Sequence, residues 1–437
     1  VAVGYLALGA NTTGNSNVGV GAGALQSNTT ASNNTALGRS ALLVNTTGTQ
    51  NVAVGAISLD ANTTGNYNSA FGYAALSNAT TGDNNTGLGR NALGDNTTAD
   101  NNTAVGYNSM GANTTGINNT AVGKSALQAN TTGGYNVAVG LDSLKSANSG
   151  SNVAVGWSSL SSTTTGNNNV GVGDNVMAAN TTGASNVAMG ALALDANTTA
   201  SNNTAIGFKA MTANTTGAGN TAVGSDALDE CTTGGENTAC GSNAGGATTT
   251  GIQNVYVGER AGNYVTGHTS GNYGTYLGMV ARPSSSTVNF EVVIGRAGIG
   301  KGDNTGFLAP TSGVYQGNNS SSWSTTSDRR IKKNIEDNNT GLDAIKEIQV
   351  KNFEYRTEDE ITDFENPASA VVHKEGVQLG VIAQEIETIL PDVVTTQSTG
   401  VKAVNPDNLT WYLVNAVQEL SSQVDELKTE IQTLKGE

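Results

Sequence analysis

Cysteine is nearly absent from this 437-residue chain, with Cys231 and Cys240 the only two. That argues against a disulfide scaffold and leaves the redox compartment open. The pair reads as two reduced thiols, at positions where other repeats carry asparagine (Asn28) or an apolar residue (Leu37, Val54). Aromatic residues make up 5% and charged residues 13%, too little of either for ordinary globular packing. Basic residues number 20 against 35 acidic, a net charge of −15, which argues against a nucleic-acid groove. No apolar run approaches the roughly 20 residues of a membrane helix. The chain opens at Val1 without a signal segment or an initiator methionine, as expected of a fragment of something longer. The scarce charge is uneven: 32 of the 55 charged residues lie from Asp328 onward and 23 in the first 327, so two kinds of protein meet near Ser327.

Glycine is what the chain has in plenty. Its 57 residues lack the every-third spacing of a collagen triple helix. They mark another period: the run Asn51, Val52, Ala53, Val54, Gly55 returns with small changes, its glycine falling at Gly4, Gly21, Gly38 and so on to Gly258. The spacing is seventeen residues throughout, except that Gly140 to Gly156 is sixteen. A fixed period of this size predicts a stack of similar coils. The run alternates, placing Val52 and Val54 on one face and Ala53 on the other, as in a short half-buried strand. A second short run (Ala24 and Leu25, or Ala74 and Ala75) and a polar corner (Asn62, Thr63, Thr64, Gly65) complete the coil. The expectation is two strand-like pieces per coil, valines forming inward columns, and asparagines and threonines stacked as ladders. Sixteen coils at about 4.8 Å each would make a rod of roughly 75 Å. One coil offers little apolar area, so other subunits around a symmetry axis, most simply threefold, are expected to complete the columns.

These runs resemble the head repeats of trimeric autotransporter adhesins and of phage tail fibres, which implies parallel β-rolls in intertwined trimers. The common repeat there is nearer fourteen residues, so seventeen implies a longer corner. The Asn-Thr-Thr triplets match the acceptor pattern for N-glycosylation, but their regular placement has a sufficient structural reason. Stacked threonines also leave an ice-binding solenoid as a remote alternative.

Over residues 259–326 the period is lost and aromatics appear. Thr287 to Ile294 reads as a strand with Val288, Phe290, Val292 and Ile294 on one side. The segment is expected to be a β-rich cap or receptor-proximal tip, with Tyr273, Tyr276, Tyr315 and Trp323 as candidate contacts to a host-surface saccharide or outer-membrane protein. The alternative is that these rings fill the axis of the roll.

The sharpest motif is Ser327, Asp328, Arg329, Arg330, Ile331, Lys332, Lys333, Asn334, Ile335. With Leu379 to Ile386, Leu390 to Val393 and Ala416 to Leu420, it resembles the self-cleaving intramolecular chaperone of phage endosialidases, tail spikes and neck appendages. The resemblance implies a serine–lysine dyad, Ser327 as nucleophile and Lys332 as base, cutting between Thr326 and Ser327. The chemistry is sound on its own terms, because a serine hydroxyl needs a base and a lysine serves only when desolvation or nearby cations lower its pKa. Arg329, Arg330 and Lys333 are near enough in sequence to help, Asp328 is a candidate for orienting the pair, and Lys333 is the runner-up base.

Farther on, Gly341 to Ile348 reads as a helix, Val350 to Tyr355 as a strand, and Gln378 to Ile382 as a strand leading into a helix that Pro391 ends. Leu413, Val417, Leu420, Val424, Leu427, Ile431 and Leu434 alternate steps of four and three, a coiled-coil seam for trimerisation. The expected architecture is mainly β: a homotrimeric parallel β-roll of seventeen-residue repeats (1–258), the cap or tip (259–326), a small α+β chaperone module (327–410) and a coiled-coil helix (411–437). The expected role is a phage tail fibre assembled in the host cytoplasm, the rest of the fibre and virion lying on its N-terminal side and its chaperone releasing itself. No metal, cofactor or nucleic acid is implied. The alternatives are a bacterial trimeric adhesin at the cell surface, a retained non-catalytic trimerisation domain, and a capsule-degrading fibre, for which no paired carboxylates stand out.

Overall fold

The computed structural model describes residues 1–263, 268–309, 329–364, 367–372, 374–397 and 400–436. The chain divides into two compact units, residues 1–290 with 294–297, and residues 291–293 with 298–437.

The first unit is a parallel β-solenoid. From Val18–Val20 to Thr275–Leu277 the three-residue strands pair in chain order and in parallel, so that Ala36 stands beside Ala53 and Ala53 beside Ala70. Seventeen residues are therefore one circuit of the coil. Hydrogen bonds run between coils: the Val52 N–H donates to the Asn68 carbonyl one coil on, and the Gly55 N–H to the Leu37 carbonyl one coil back. The backbone is thus satisfied without charge, as the composition requires. The marker glycine closes each strand because Gly55 has φ of +134°, and a Cβ there would lie 2.3 Å from the Gly72 carbonyl oxygen.

Two expectations about the coil are corrected. The strand alternates as read, but the small central residue points inward: Ala53 is fully buried, while Val52 and Val54 face outward, half-buried. The interior has room for one small residue opposite one leucine. Even at Gly19 an added Cβ would meet the Leu8 side chain at 3.2 Å. The second run is also a chain of turns and not a strand. Ile57 and Leu59 sit in the left-handed region, at φ of 51° and 49°. The Ile57 N–H reaches back to the Arg39 carbonyl and the Leu59 N–H forward to the Ala75 carbonyl. A left-handed residue costs about 1–2 kcal/mol, while full burial of a leucine side chain returns about 1.5–3 kcal/mol in addition to its hydrogen bond.

Two asparagine ladders run inside the rod. In one, Asn45 Nδ2 donates to Asn28 Oδ1 at 2.9 Å and to the Gly48 carbonyl at 2.9 Å. In the other, the Asn51 N–H donates to Asn34 Oδ1 and Asn51 Nδ2 to the Gly65 carbonyl. Threonines add outer rungs, as where Thr63 Oγ1 donates to the Thr80 carbonyl at 3.0 Å. The asparagine of the Asn-Thr-Thr triplet, Asn62 for example, is fully buried. In the sixteen-residue coil, Asn148 Oδ1 accepts from the N–H groups of both Thr131 and Thr132, where other coils present a threonine carbonyl. One side-chain carbonyl replaces the missing peptide.

The solenoid does not stop at Gly258. Gly278 and Gly295 repeat the marker conformation at φ of 132° and 131°, and the Gly295 N–H donates to the Leu277 carbonyl. The spacing from Gly258 to Gly278 is twenty residues, and that interruption hid the continuation. The strand expected over 287–294 is shorter, Val292–Ile294, and alternates as read, with Val293 buried and Val292 and Ile294 outward.

Here the core composition changes. Tyr256 and Tyr276 take the inward strand position, stacked at 5.6 Å, while Gly245 and Gly262 replace the facing leucine. A Cβ at Gly262 would lie 2.2 Å from the Tyr256 ring. The added ring volume is thus offset by two deleted side chains. Thr248 Oγ1 donates to the Tyr256 hydroxyl, which bonds His268 Nδ1 at 2.8 Å, and His268 Nε2 bonds the Val288 carbonyl at 2.7 Å. Tyr276 is therefore a core residue and not a receptor contact. Tyr273 is exposed and stacks on exposed Phe290 at 4.5 Å. Tyr315 and Trp323 lie outside the described residues.

Candidate functional site

The segment that begins after the expected cut enters the second unit as a basic turn. Arg329–Ile331 form one helical turn, closed by the Lys332 N–H on the Arg329 carbonyl. Arg329, Arg330, Lys332 and Lys333 are exposed. Thr326, Ser327 and Asp328 lie outside the described residues, so the structure places the base of the expected dyad and not its nucleophile.

From Asn334, left-handed at φ of 50°, the chain runs without regular structure to helix α1, Leu342–Glu347, where a helix was expected. Its entry is fastened to a distant helix. Asn415 Nδ2 donates to the carbonyls of Asn338 and Thr340 at 2.7 and 3.1 Å, and the Leu342 N–H donates to Glu419 Oε2 at 2.8 Å. Gly341 permits the approach, since a Cβ there would lie 2.8 Å from the Ala416 nitrogen. Residues 338–342 are therefore anchored to a helix 75–77 residues away in sequence.

The intervening chain makes the platform. Strand Lys351–Phe353 pairs antiparallel with Gln378–Gly380, a short helix α2 (Pro367–Ala370) that was not expected comes between those strands in sequence, helix α3 (Ala383–Ile389) lies where a helix was expected, and Val394–Thr396 pairs with Lys402–Val404. Ile386, Leu390, Val393 and Tyr412 form the buried core. Glu385 and Glu387 go to separate partners, Lys351 and Lys402, and do not form an acid pair. His373 lies outside the described residues.

The anchoring helix is α4, Pro406–Lys435, begun by Asn405, whose side chain accepts the Asp407 N–H, and by Pro406 in the first turn. Its first half docks through Tyr412, which donates its hydroxyl proton to Asp392 Oδ2 at 2.7 Å, and through Ala416. Trp411 beside it is exposed. Every residue from 421 to 436 is exposed, and the stripe Leu413, Val417, Leu420, Val424, Leu427, Ile431 and Leu434 is 41–69% exposed. A helix whose apolar stripe stays this open is suited to a partner helix.

Sequence reasoning found the motif, helices α1, α3 and α4, and the stripe, but not α2. It missed Asn415 and Glu419 as anchors, because their partners lie seventy-five and more residues away and no local pattern signals the pairing.

No curated protein matches the chain. Residues 327–395 match the family described as chaperone of endosialidase, a family of self-cleaving intramolecular chaperone peptidases. The match opens at Ser327 and ends before α4, so this chain joins an N-terminal parallel β-solenoid to a C-terminal chaperone-of-endosialidase domain.

Proposed function

We propose that the chain is a homotrimeric phage tail fibre whose C-terminal domain aligns three copies and then releases itself by cutting between Thr326 and Ser327. The observation that carries the reading is the family match opening at residue 327, on a segment tied to α4 through Asn415 and Glu419. Three copies of α4 joining along the exposed stripe would gather three such segments. The outward strand column supports association of the shafts as well, since Leu37, Phe71, Leu88, Val122, Met189, Ile206 and Val257 are each more than a third exposed.

In the proposed step Ser327 Oγ attacks the Thr326 carbonyl carbon while its proton passes to Lys332 Nζ. The C–N bond breaks, the Ser327 nitrogen takes that proton, and an ester joins Thr326 to Ser327 Oγ. Water then hydrolyses the ester, giving a Thr326 carboxyl group and restoring the Ser327 hydroxyl. A lysine acts as base when desolvated, and Lys332 is exposed on the single chain. Packing of neighbouring copies would supply the burial, so that cleavage reports completed assembly. Removal of the domain would leave the shaft kinetically trapped. The fibre would act on the virion, with Tyr273 and Phe290 as contacts to a host-surface saccharide or outer-membrane protein.

The test is intact mass of the parent beside Ser327→Ala and Lys332→Ala. Fragments 1–326 and 327–437 from the parent alone support the dyad and the cut together. A parent that stays at 44.1 kDa as a folded trimer would make the domain a retained trimerisation module.

A further inference from the structure

The ladder that includes Asn28, Asn45 and Asn62 is broken at Ala79, Ala147 and Cys231, and threonines, Thr163 and Thr248, take the asparagine's place in the coils after Ala147 and Cys231. In an unbroken stretch each carboxamide makes three bonds: Nδ2 donates to the preceding Oδ1 and to the carbonyl three residues on, and Oδ1 accepts from the next Nδ2. Asn113 shows the pattern, with Nδ2 on Asn96 Oδ1 and on the Gly116 carbonyl, and with Asn130 Nδ2 on its own Oδ1. At each break the preceding oxygen, that of Asn62, Asn130 or Asn214, has no protein partner, although all three side chains are fully buried. A buried polar group left this way pays the full cost of losing its water.

Ala79 offers the most complete surroundings. Asn62 Oδ1 stands on one side as an acceptor. On the other, Asn96 Nδ2 keeps its bond to the Ala99 carbonyl at 3.2 Å and has a second hydrogen with no ladder oxygen to meet. The carbonyl three residues on, that of Gly82, accepts from Asn68 Nδ2 at 2.7 Å and has a second lone pair. Two acceptors and one donor thus surround the place a carboxamide would fill. A water molecule, with two hydrogens to give and lone pairs to receive, reproduces all three bonds, and its volume of about 30 Å³ suits the space left by a carboxamide.

We propose that the solenoid interior binds a structural water beside Ala79, bridging Asn62 Oδ1, the Gly82 carbonyl and Asn96 Nδ2. The break at Ala147 takes a second, between Asn130 Oδ1 and the buried Thr163 hydroxyl. Cys231 differs, because its sulfur occupies the position and faces the Gly234 carbonyl at 3.5 Å. The two waters continue the ladder where the side chain is missing.

The experiment uses the full chain and compares Ala79→Asn with Ala79→Val. Long-lived internal waters are counted by water-oxygen magnetic relaxation dispersion, and stability by thermal unfolding. The expected result is that Ala79→Asn loses one long-lived water per chain and unfolds no lower than the parent, while Ala79→Val unfolds below it because the valine displaces water and satisfies nothing. An unchanged water count in Ala79→Asn, or a Val variant at least as stable as the Asn variant, would mean a dry gap and overturn the proposal. If Ala79→Asn does not fold, Ala147→Asn gives the same readout at the second break.

Discussion

Replacing Asn102 by alanine removes one rung from the unbroken asparagine ladder. Asn102 Oδ1 accepts the Asn119 N–H at 3.0 Å and Asn119 Nδ2 at 3.2 Å, and Asn102 Nδ2 donates to the Gly116 carbonyl at 2.9 Å. Two of these losses are cushioned, since Asn119 Nδ2 keeps the Gly133 carbonyl and the Gly116 carbonyl keeps Asn113 Nδ2. The Asn119 N–H is left buried without an acceptor. One orphaned donor at about 1–3 kcal/mol and weakened neighbours at about 0.5–1 kcal/mol give about 2–4 kcal/mol. A solenoid opens locally, so the loss should concentrate in the coils around the site. Hydrogen exchange read by mass spectrometry is the assay, and exchange over residues 85–119 should quicken about 30- to 700-fold at 1.4 kcal/mol per decade. Thr98→Ala, on the exposed outer corner of the same coils, should shift stability by no more than about 0.5 kcal/mol. If Asn102→Ala exchanges within about twofold of the parent, the ladder is not what holds adjacent coils together.

Tyr256→Ala should cost about 3–5 kcal/mol, because Gly245 and Gly262 opposite provide nothing to fill the space. Gly245→Leu alone should also destabilise, yet the two together should recover much of the loss in thermal unfolding by restoring the ordinary alanine–leucine pair. Burial holds the His268 imidazole below its ordinary 6.5, against a smaller opposite effect of the Val288 carbonyl. The unfolded chain therefore binds a proton below pH 6.5 that the folded chain refuses, and stability should fall as pH drops through 6.5 towards the lower folded value. The unfolding midpoint of the parent, measured from about pH 8 to about pH 5 beside His268→Asn, checks this; parallel profiles would refute it. Asp229 runs the other way, its carboxyl raised to about 6 by burial and by Asp226 and Glu230. Asp229→Asn should accordingly stabilise at neutral pH and flatten the profile between about 4 and 6. If the proposed trimer forms along the α4 stripe, Leu420→Glu with Val424→Glu should abolish it in sedimentation and abolish the proposed cleavage in intact mass together; cleavage by a monomer would separate the two.

Much of the shaft was legible because a stacked coil must repeat its turn chemistry. The marker glycine needs a φ near +130° beside a neighbouring backbone, so its spacing announces the circuit directly. The facing of Val52 and Val54 was not legible. Alternation says that Ala53 opposes them, but only the width of the closed coil decides that the alanine goes inside. The left-handed Leu59 was equally hidden, because leucine carries no turn signal and its conformation is held by the Ala75 carbonyl one coil away. Past Gly258, an interval of twenty residues broke the count although the coil continued. In the C-terminal unit, local patterns gave α1, α3 and α4, while the anchoring of residues 338–342 by Asn415 and Glu419 depended on contacts distant in sequence.

By itself, then, the sequence determined the parallel solenoid, its period, the chaperone motif at Ser327 and the apolar stripe of α4, each a local or periodic property of the chain. Tertiary structure alone decided which face of the strand is core, how two tyrosines displace two leucines at the end of the solenoid, and which helix anchors residues 338–342. These depend on the space left between coils and on partners far apart in the chain, which no local pattern records.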